Sequence, residues 1–202
     1  MKTLKIIAAT LIVAGALFWL NHSLHPQPLD RQSLPFFGVG EVLANEAARV
    51  AHDKGRVVLV NLPMDSVNSQ SQLQGFQETL AGHHHLTLVA TKNIDLHDTT
   101  MGKINFAQLT AIINDYSNAD VIVIFPPLTS LSDAQLQTLP KPAPKLIVMD
   151  WSMGDLNLAA NAGLVAAAVS TRQLTSLPSD HPRTPRQWFD RYYDLVPLTK
   201  DN

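Results

Sequence analysis

The chain has 202 residues, 46% hydrophobic and 16% charged, which is the composition of a folded globular chain and excludes disorder. Fifteen Lys and Arg stand against 17 Asp and Glu; Lys2 and Lys5 sit at the extreme N-terminus, and the remainder has no basic run, which excludes a nucleic-acid binder. With no cysteine, the chain cannot be a disulfide scaffold, a thiol enzyme, a cysteine-ligated zinc or iron–sulfur protein, or a lipoprotein.

The basic start is followed by Ile6–Leu20, fifteen residues without a charge. As a helix this run spans about 22 Å, short of the roughly 30 Å hydrocarbon core. A cleaved signal peptide fits the short apolar core, with Ala14-Gly15-Ala16 as the cleavage site. An uncleaved anchor fits the continuation through Leu17, Phe18, Trp19 and Leu20, with Trp19 at the far interface and Lys5 snorkelling at the near one. We expect the anchor, so residues 1–22 read as signal anchor or signal peptide, and Ile6–Leu20 as the contact with the membrane. Under both readings the positive-inside bias puts the body on the exported side, periplasmic or extracellular, and cleavage would make it secreted. Residues 23–38 read as a linker, punctuated by Pro26, Pro28 and Pro35.

Residues 39–202 alternate helix and strand patterns. Val42, Leu43, Ala47, Val50 and Ala51 recur at helical spacing and predict a first helix over Gly40–Lys54, stopped by Gly55. Val57–Asn61 (VVLVN) is wholly apolar up to its last residue, the mark of a strand covered on both faces. Pro63 then opens a polar loop, Met64–Ser69. A second helix is predicted over Gln70–Ala81, a second strand over Leu86–Ala90, and a third helix over Lys103–Tyr116. Val121–Phe125 (VIVIF), Leu146–Met149 (LIVM) and Gly163–Val169 complete the strands, with a short helix over Ser132–Leu139 between the first two. Such alternation predicts an α/β fold: a three-layer open parallel sheet of four to five strands with helices on both faces. Thr184 and Pro185 start a C-terminal helix. Its pairs four apart, Trp188 with Tyr192 and Phe189 with Tyr193, form two aromatic stripes. They either pack on the sheet or first helix, or present a surface to a partner.

Ligands of open parallel sheets gather at the carboxyl ends of the strands. Asn61 and Asp65 follow the first strand, Asp95 the second, Pro126 the third, and Asp150 with Trp151 the fourth. Carboxylates accept hydrogen bonds from sugar hydroxyls and an indole stacks on the apolar face of a sugar ring, so these residues are the candidate ligand site. Asp65, Asp95 and Asp150 are equally suited to capping loops and helix starts. His83-His84-His85 follows Gly82 in a turn, where successive side chains diverge, and it reads as a surface turn with no metal. Gly-x-Ser-x-Gly, Gly-x-Gly-x-x-Gly and Gly-Lys-Ser/Thr motifs are absent, and neither a catalytic residue nor a cofactor is assigned.

The order of segments carries a resemblance. VVLVN leads to a polar loop, then a helix with Gly75-Phe76, then a strand ending in Lys92-Asn93-Ile94-Asp95, then a strand ending in Phe125-Pro126-Pro127, then one ending in Asp150. This resembles the N-terminal lobe of the type I periplasmic binding proteins, a family of sugar-binding transport receptors, from about Gly40 to Asp150. The resemblance implies a ligand cleft beginning at the loop after the first strand. That family has two lobes that close on the ligand, and the fifty or so residues after Asp150 suffice here for a strand and a helix. The expected function is a membrane-tethered, non-enzymatic binding domain for a small polar ligand such as a sugar. Its protein partner would be a second copy of the chain or an envelope protein. Two alternatives stand: an assembly partner in an envelope complex, and a hydrolase using strand-end Asp residues. The topology is testable with reporters fused after Asn202. One active only outside the cytoplasm should be active, and activity of a cytoplasm-only reporter would sink the export reading.

Overall fold

The computed structural model describes residues 34–62, 66–95, 97, 99, 102–149, 156–174 and 182–198. In chain order they form α1 (Leu34–Val50), β1 (Gly55–Asn61), α2 (Val67–Ala81), β2 (Leu86–Asn93), α3 (Phe106–Asp115) and β3 (Val121–Ile124). These are followed by α4 (Asp133–Thr138), β4 (Lys145–Met149), α5 (Asn157–Asn161), β5 (Val165–Thr171), α6 (Pro185–Tyr192) and β6 (Tyr193–Pro197).

One six-stranded sheet runs in the order β2-β1-β3-β4-β5-β6. All neighbouring pairs are parallel except β5 with β6. The apolar runs explain its position, because alternate side chains of a strand point to opposite faces. Val57, Leu59, Val121, Val123 and Ile147 enter one core with residues of α1, α2 and α6. Val58, Val60, Ile122, Ile124, Leu146 and Val148 enter the other, against Leu109, Ile112 and Ile113 of α3 and residues around α4 and α5. The expected three layers are present.

The sheet is larger and more mixed than expected. Tyr193–Pro197 (YDLVP) forms a sixth strand antiparallel to β5, from Tyr193 opposite Thr171 to Pro197 opposite Ala167. The aromatic spacing extends the helical pattern into Tyr193 and hides the switch, since Tyr193 stacks on Phe189 although it belongs to the strand. Burial raises the Tyr193 hydroxyl pKa above its ordinary value. Where this ladder begins, Arg172 pairs with Asp194 and its hydrogen bond lowers the Asp194 pKa.

α1 starts at Leu34, inside the span expected to be linker, and ends at Val50 rather than Lys54. Pro35 lies in its first turn, where proline removes no helical hydrogen bond. At the other end His52 and Asp53 take φ of 52° and 56°, which stops the helix before Gly55. α2 starts at Val67, capped by Ser66, so Asn68 and Ser69 belong to its first turn and not to a loop. Among the described residues no helix is long and apolar enough to cross a membrane; Ile6–Leu20 lies outside them.

Three glycines bring α1 into backbone contact with α2 and α6. A methyl group on Gly40 would overlap the Gln72 carbonyl of α2, and one on Gly75 would overlap the Phe37 carbonyl of α1. One on Gly38 would overlap the Pro185 carbonyl of α6. Overpacking of this kind costs about 1–3 kcal/mol. Gly40→Ala and Gly75→Ala should therefore each lower the melting temperature by several degrees, while alanine at the exposed Gln77 of α2 should leave it unchanged. Ile122→Asp and Val123→Asp test the two faces of β3. Both residues are fully buried, and an unpaired buried charge costs several kcal/mol of a typical total of roughly 5–15 kcal/mol. Both variants should lose the cooperative transition in circular dichroism.

Candidate functional site

β1 is followed by α2 on one face of the sheet, whereas β3 is followed by α4 on the other. The two strands are neighbours, so their outgoing chains part and leave a crevice at their carboxyl ends, the place where open α/β sheets hold ligands. A cleft of about 290 Å³ lies there. Phe36 of α1, Leu62, Phe125, Pro126, Pro127 and Met149 supply its apolar lining. Asn61, Ser66, Asn68, Ser69 and Gln72 supply its polar lining. None of these residues is charged.

Each lining residue is held from below. Asn61 ends β1, is 7% exposed, and receives Ile94 N–H on its carbonyl at 2.9 Å. Its side-chain amide has no hydrogen-bond partner among the described residues. Phe125 follows β3, its N–H donates to Val60 O at 3.0 Å, and its ring meets Phe76 of α2 edge-on at 5.8 Å and 86°. Ser66 caps α2: its Oγ accepts from Ser69 N–H at 3.2 Å and lies 2.9 Å from Ser69 Oγ. Gln72, one turn further, is 9% exposed, and its Nε2 donates to Met149 Sδ at 2.8 Å.

The expected site residues divide into three groups. Asn61 and Pro126 are among the lining residues of the cleft. Asp95 is not. It follows β2, an outer strand, and lies exposed with Oδ1 accepting from His97 N–H at 2.9 Å, the self-contained turn that Asp favours. Asp65, Asp150 and Trp151 lie outside the described residues; Asp65 precedes Ser66, and Asp150 follows Met149, in the chain.

The expected partner surface on the C-terminal helix is corrected. Phe189 is 1% and Tyr193 6% exposed, because α6 packs on α1 at Gly38 and β6 closes the sheet. Trp188 and Tyr192 are half-buried and stack on each other at 5.8 Å. The His83-His84-His85 turn connects α2 and β2, where His83 Nε2 lies 3.0 Å from Asn45 Oδ1 and Nδ1 lies 3.5 Å from Asp53 Oδ1. No group of three or more His, Asp and Glu side chains able to hold a metal occurs among the described residues.

A larger hollow, about 470 Å³, lies at the amino ends of β4 and β5, between α4 and the turn from α5 into β5. There Lys145, the first residue of β4, donates to Gly163 O at 2.6 Å. It is remote from the strand carboxyl ends, and the smaller cleft is the one the topology builds.

Sequence reasoning missed Phe36, Ser66, Asn68, Ser69, Gln72 and Met149. The spacing of three between Ser66, Ser69 and Gln72 was the available signal, since it puts polar groups on one helical face beside the buried stripe of Phe76 and Leu80. Phe36 sat in the presumed linker.

No family model and no curated protein matches the chain. Solved structures do. The arabinose-binding protein AraP of Geobacillus stearothermophilus matches at 23% identity and a TM-score of 0.50, over 67% of this chain and 45% of AraP. GanP, a glucose-galactose binding protein of the same organism, matches at 11% identity and 0.53, over 81% of this chain and 60% of GanP. A chain of the XylFII–LytSN complex matches at 15% identity and 0.54, over 81% of this chain and 60% of its own. The first two are named as binding proteins, not enzymes. The chain spans about half the length of these proteins, and at such identities the likeness is one of fold. One prediction comes from the geometry alone. Ser66→Ala removes the cap that starts the polar face of α2 and should cost about 1 kcal/mol, read from urea unfolding midpoints.

Proposed function

We propose that the chain is a non-enzymatic binding domain whose cleft at the carboxyl ends of β1, β3 and β4 takes a small, neutral, polyhydroxylated ligand such as a sugar. The observation that carries this reading is the lining of the cleft: the buried residues Asn61 and Gln72 and the half-buried hydroxyls of Ser66 and Ser69 beside two phenylalanines, with no charged side chain among the described lining residues, at the switch point of a fold shared with sugar-binding proteins. Neutral amides exchange hydrogen bonds with hydroxyls without selecting an ion. Phe36 and Phe125 offer apolar surface to the carbon face of a ring. In the same reading Ile6–Leu20 tethers the domain, by a linker shorter than expected, on the exported side of a membrane. Asp65, Asp150 and Trp151, adjoining the lining residues in sequence, remain its proposed further contacts.

The hydrolase alternative loses support, since Asp95 closes its own turn and is not among the cleft lining. The assembly alternative loses the aromatic surface it relied on, because two of its four residues are buried.

The described lining contacts one side of a ligand. With about twelve heavy atoms at roughly 0.3 kcal/mol each, a monosaccharide reaches about −4 kcal/mol, which is millimolar. Calorimetric titration of the purified chain with D-arabinose, D-glucose and D-galactose should show millimolar binding and no chemical conversion of the sugar. Asn61→Leu should weaken binding about tenfold, the loss expected of one hydrogen bond. Silence across the panel with folded protein would sink the reading.

A further inference from the structure

We propose that Gln72 is the specificity-determining residue of this cleft, and that Met149 is the partner it exchanges for the ligand. The inference rests on the binding reading above. It starts from a mismatch in hydrogen bonding. Gln72 is 9% exposed as a residue, and it lines the cleft. An amide has two donors and an acceptor to satisfy, and buried amides are normally paired with strong partners. Here Nε2 donates to the thioether of Met149, among the weakest acceptors a protein offers. The carbonyl oxygen of the side chain accepts no hydrogen bond from a described residue but is not sealed from solvent, since Trp188 Nε1 is the only buried side-chain polar atom without a partner among the described residues. A leucine or methionine would fill the same space between Phe125 and Met149 with no polar atom to satisfy.

The other polar groups of α2 are differently placed. Ser66 and Ser69 hydrogen-bond to each other and complete the helix cap. Asn68 is exposed at the rim. Asn61, 7% exposed on β1, is the other buried amide residue of the lining, and its side chain makes no hydrogen bond with a described residue. Asn61 and Gln72 therefore line one cleft from two different elements, each offering both a donor and an acceptor.

The backbone at Gln72 is fixed, because its carbonyl lies against the methyl-free face of Gly40. The side chain alone can move. Met149 ends β4, and its unbranched thioether adapts to a neighbour that comes and goes. A hydroxyl is a far stronger partner than sulfur in both directions, so a polyhydroxylated ligand draws the Gln72 amide off Met149. The amide thus favours ligands that donate and accept from one group over ligands that only accept or only donate.

The test uses the full chain carrying methyl-13C methionine, titrated with D-arabinose and D-galactose by NMR and calorimetry. Met149→Leu identifies the Met149 methyl resonance. In the wild-type chain that resonance should move with the same affinity that calorimetry reports. Gln72→Leu should melt within a few degrees of wild type and bind at least tenfold more weakly. Met149→Leu removes the competing acceptor and should bind two- to five-fold more tightly, a readout that does not depend on Gln72→Leu folding. Wild-type affinity in Gln72→Leu, or unchanged affinity in Met149→Leu, overturns the inference and leaves the binding reading standing. Absence of heat and of any resonance shift in the wild-type chain overturns both.

Discussion

The contact on which the rest of the described structure depends is the close approach of α1 to α2 and α6. α1 lies on one face of the sheet and contributes Val39, Val42, Leu43, Ala44 and Ala47 to the core there. Helix axes usually stay 8–10 Å apart, at a distance set by the side chains between them. At Gly40 and Gly75 there are no such side chains, and the backbones of α1 and α2 meet. The contact fixes the register of α2 along α1. It thereby fixes Gln72, whose carbonyl is one of the contacting atoms, and Phe76, the next residue after Gly75. Phe76 in turn supports the ring of Phe125 at the cleft. Packed interiors transmit displacement, so a change at Gly40 or Gly75 reaches both an apolar and a polar part of the cleft lining.

The topology decides where that lining can matter. Parallel strands need long crossovers, and the crossovers after β1 and β3 go to opposite faces. Between them the strand carboxyl ends border the cleft. The buried part of the cleft comes from residues that the fold has to place there anyway: Asn61 ends β1, Phe125 follows β3, and Met149 ends β4. The polar part comes from the start of α2, where Ser66 turns the chain into the helix. The site thus needs no inserted loop among the described residues.

The sheet strands that are apolar on both faces were legible in the sequence, because burial on both faces removes polar residues altogether and leaves runs such as VVLV and VIVI. Asn61 was legible for the same reason, as the first polar residue after such a run. β6 was not, because Tyr193 continues the four-residue spacing of Phe189 while its backbone is already extended. The start of α1 was hidden by Pro35, which reads as a linker residue although proline suits a first helical turn. Gln72 was invisible for a different reason. Its role depends on Met149, 77 positions away in the chain, and no local pattern connects them. Asp95 misled because a strand-end acid has the same sequence signature whether it faces a ligand or closes its own turn.

The two edges of the sheet differ in how they stop further pairing. β6 is short, antiparallel and ends at Pro197, which has no N–H to offer. β2 alternates buried or half-buried residues with exposed Thr87, Thr91 and Asn93, and carries Lys92 near its end. Polar and charged side chains on an edge discourage a neighbouring strand. The aromatic residues of α6 cover α1 and the adjoining face instead of standing in solvent. Among the described residues the exposed large apolar side chains are Val67, Leu158 and Leu174. Val67, at 64% the most exposed of the large apolar side chains among the described residues, lies between Ser66 and Asn68 in sequence but is not part of the cleft lining. Apolar lining from Phe36 and Phe125 beside the amides of Asn61 and Gln72 is the combination that a ring with one carbon face and several hydroxyls can satisfy, because the apolar lining meets the carbon face and the amides meet the hydroxyls.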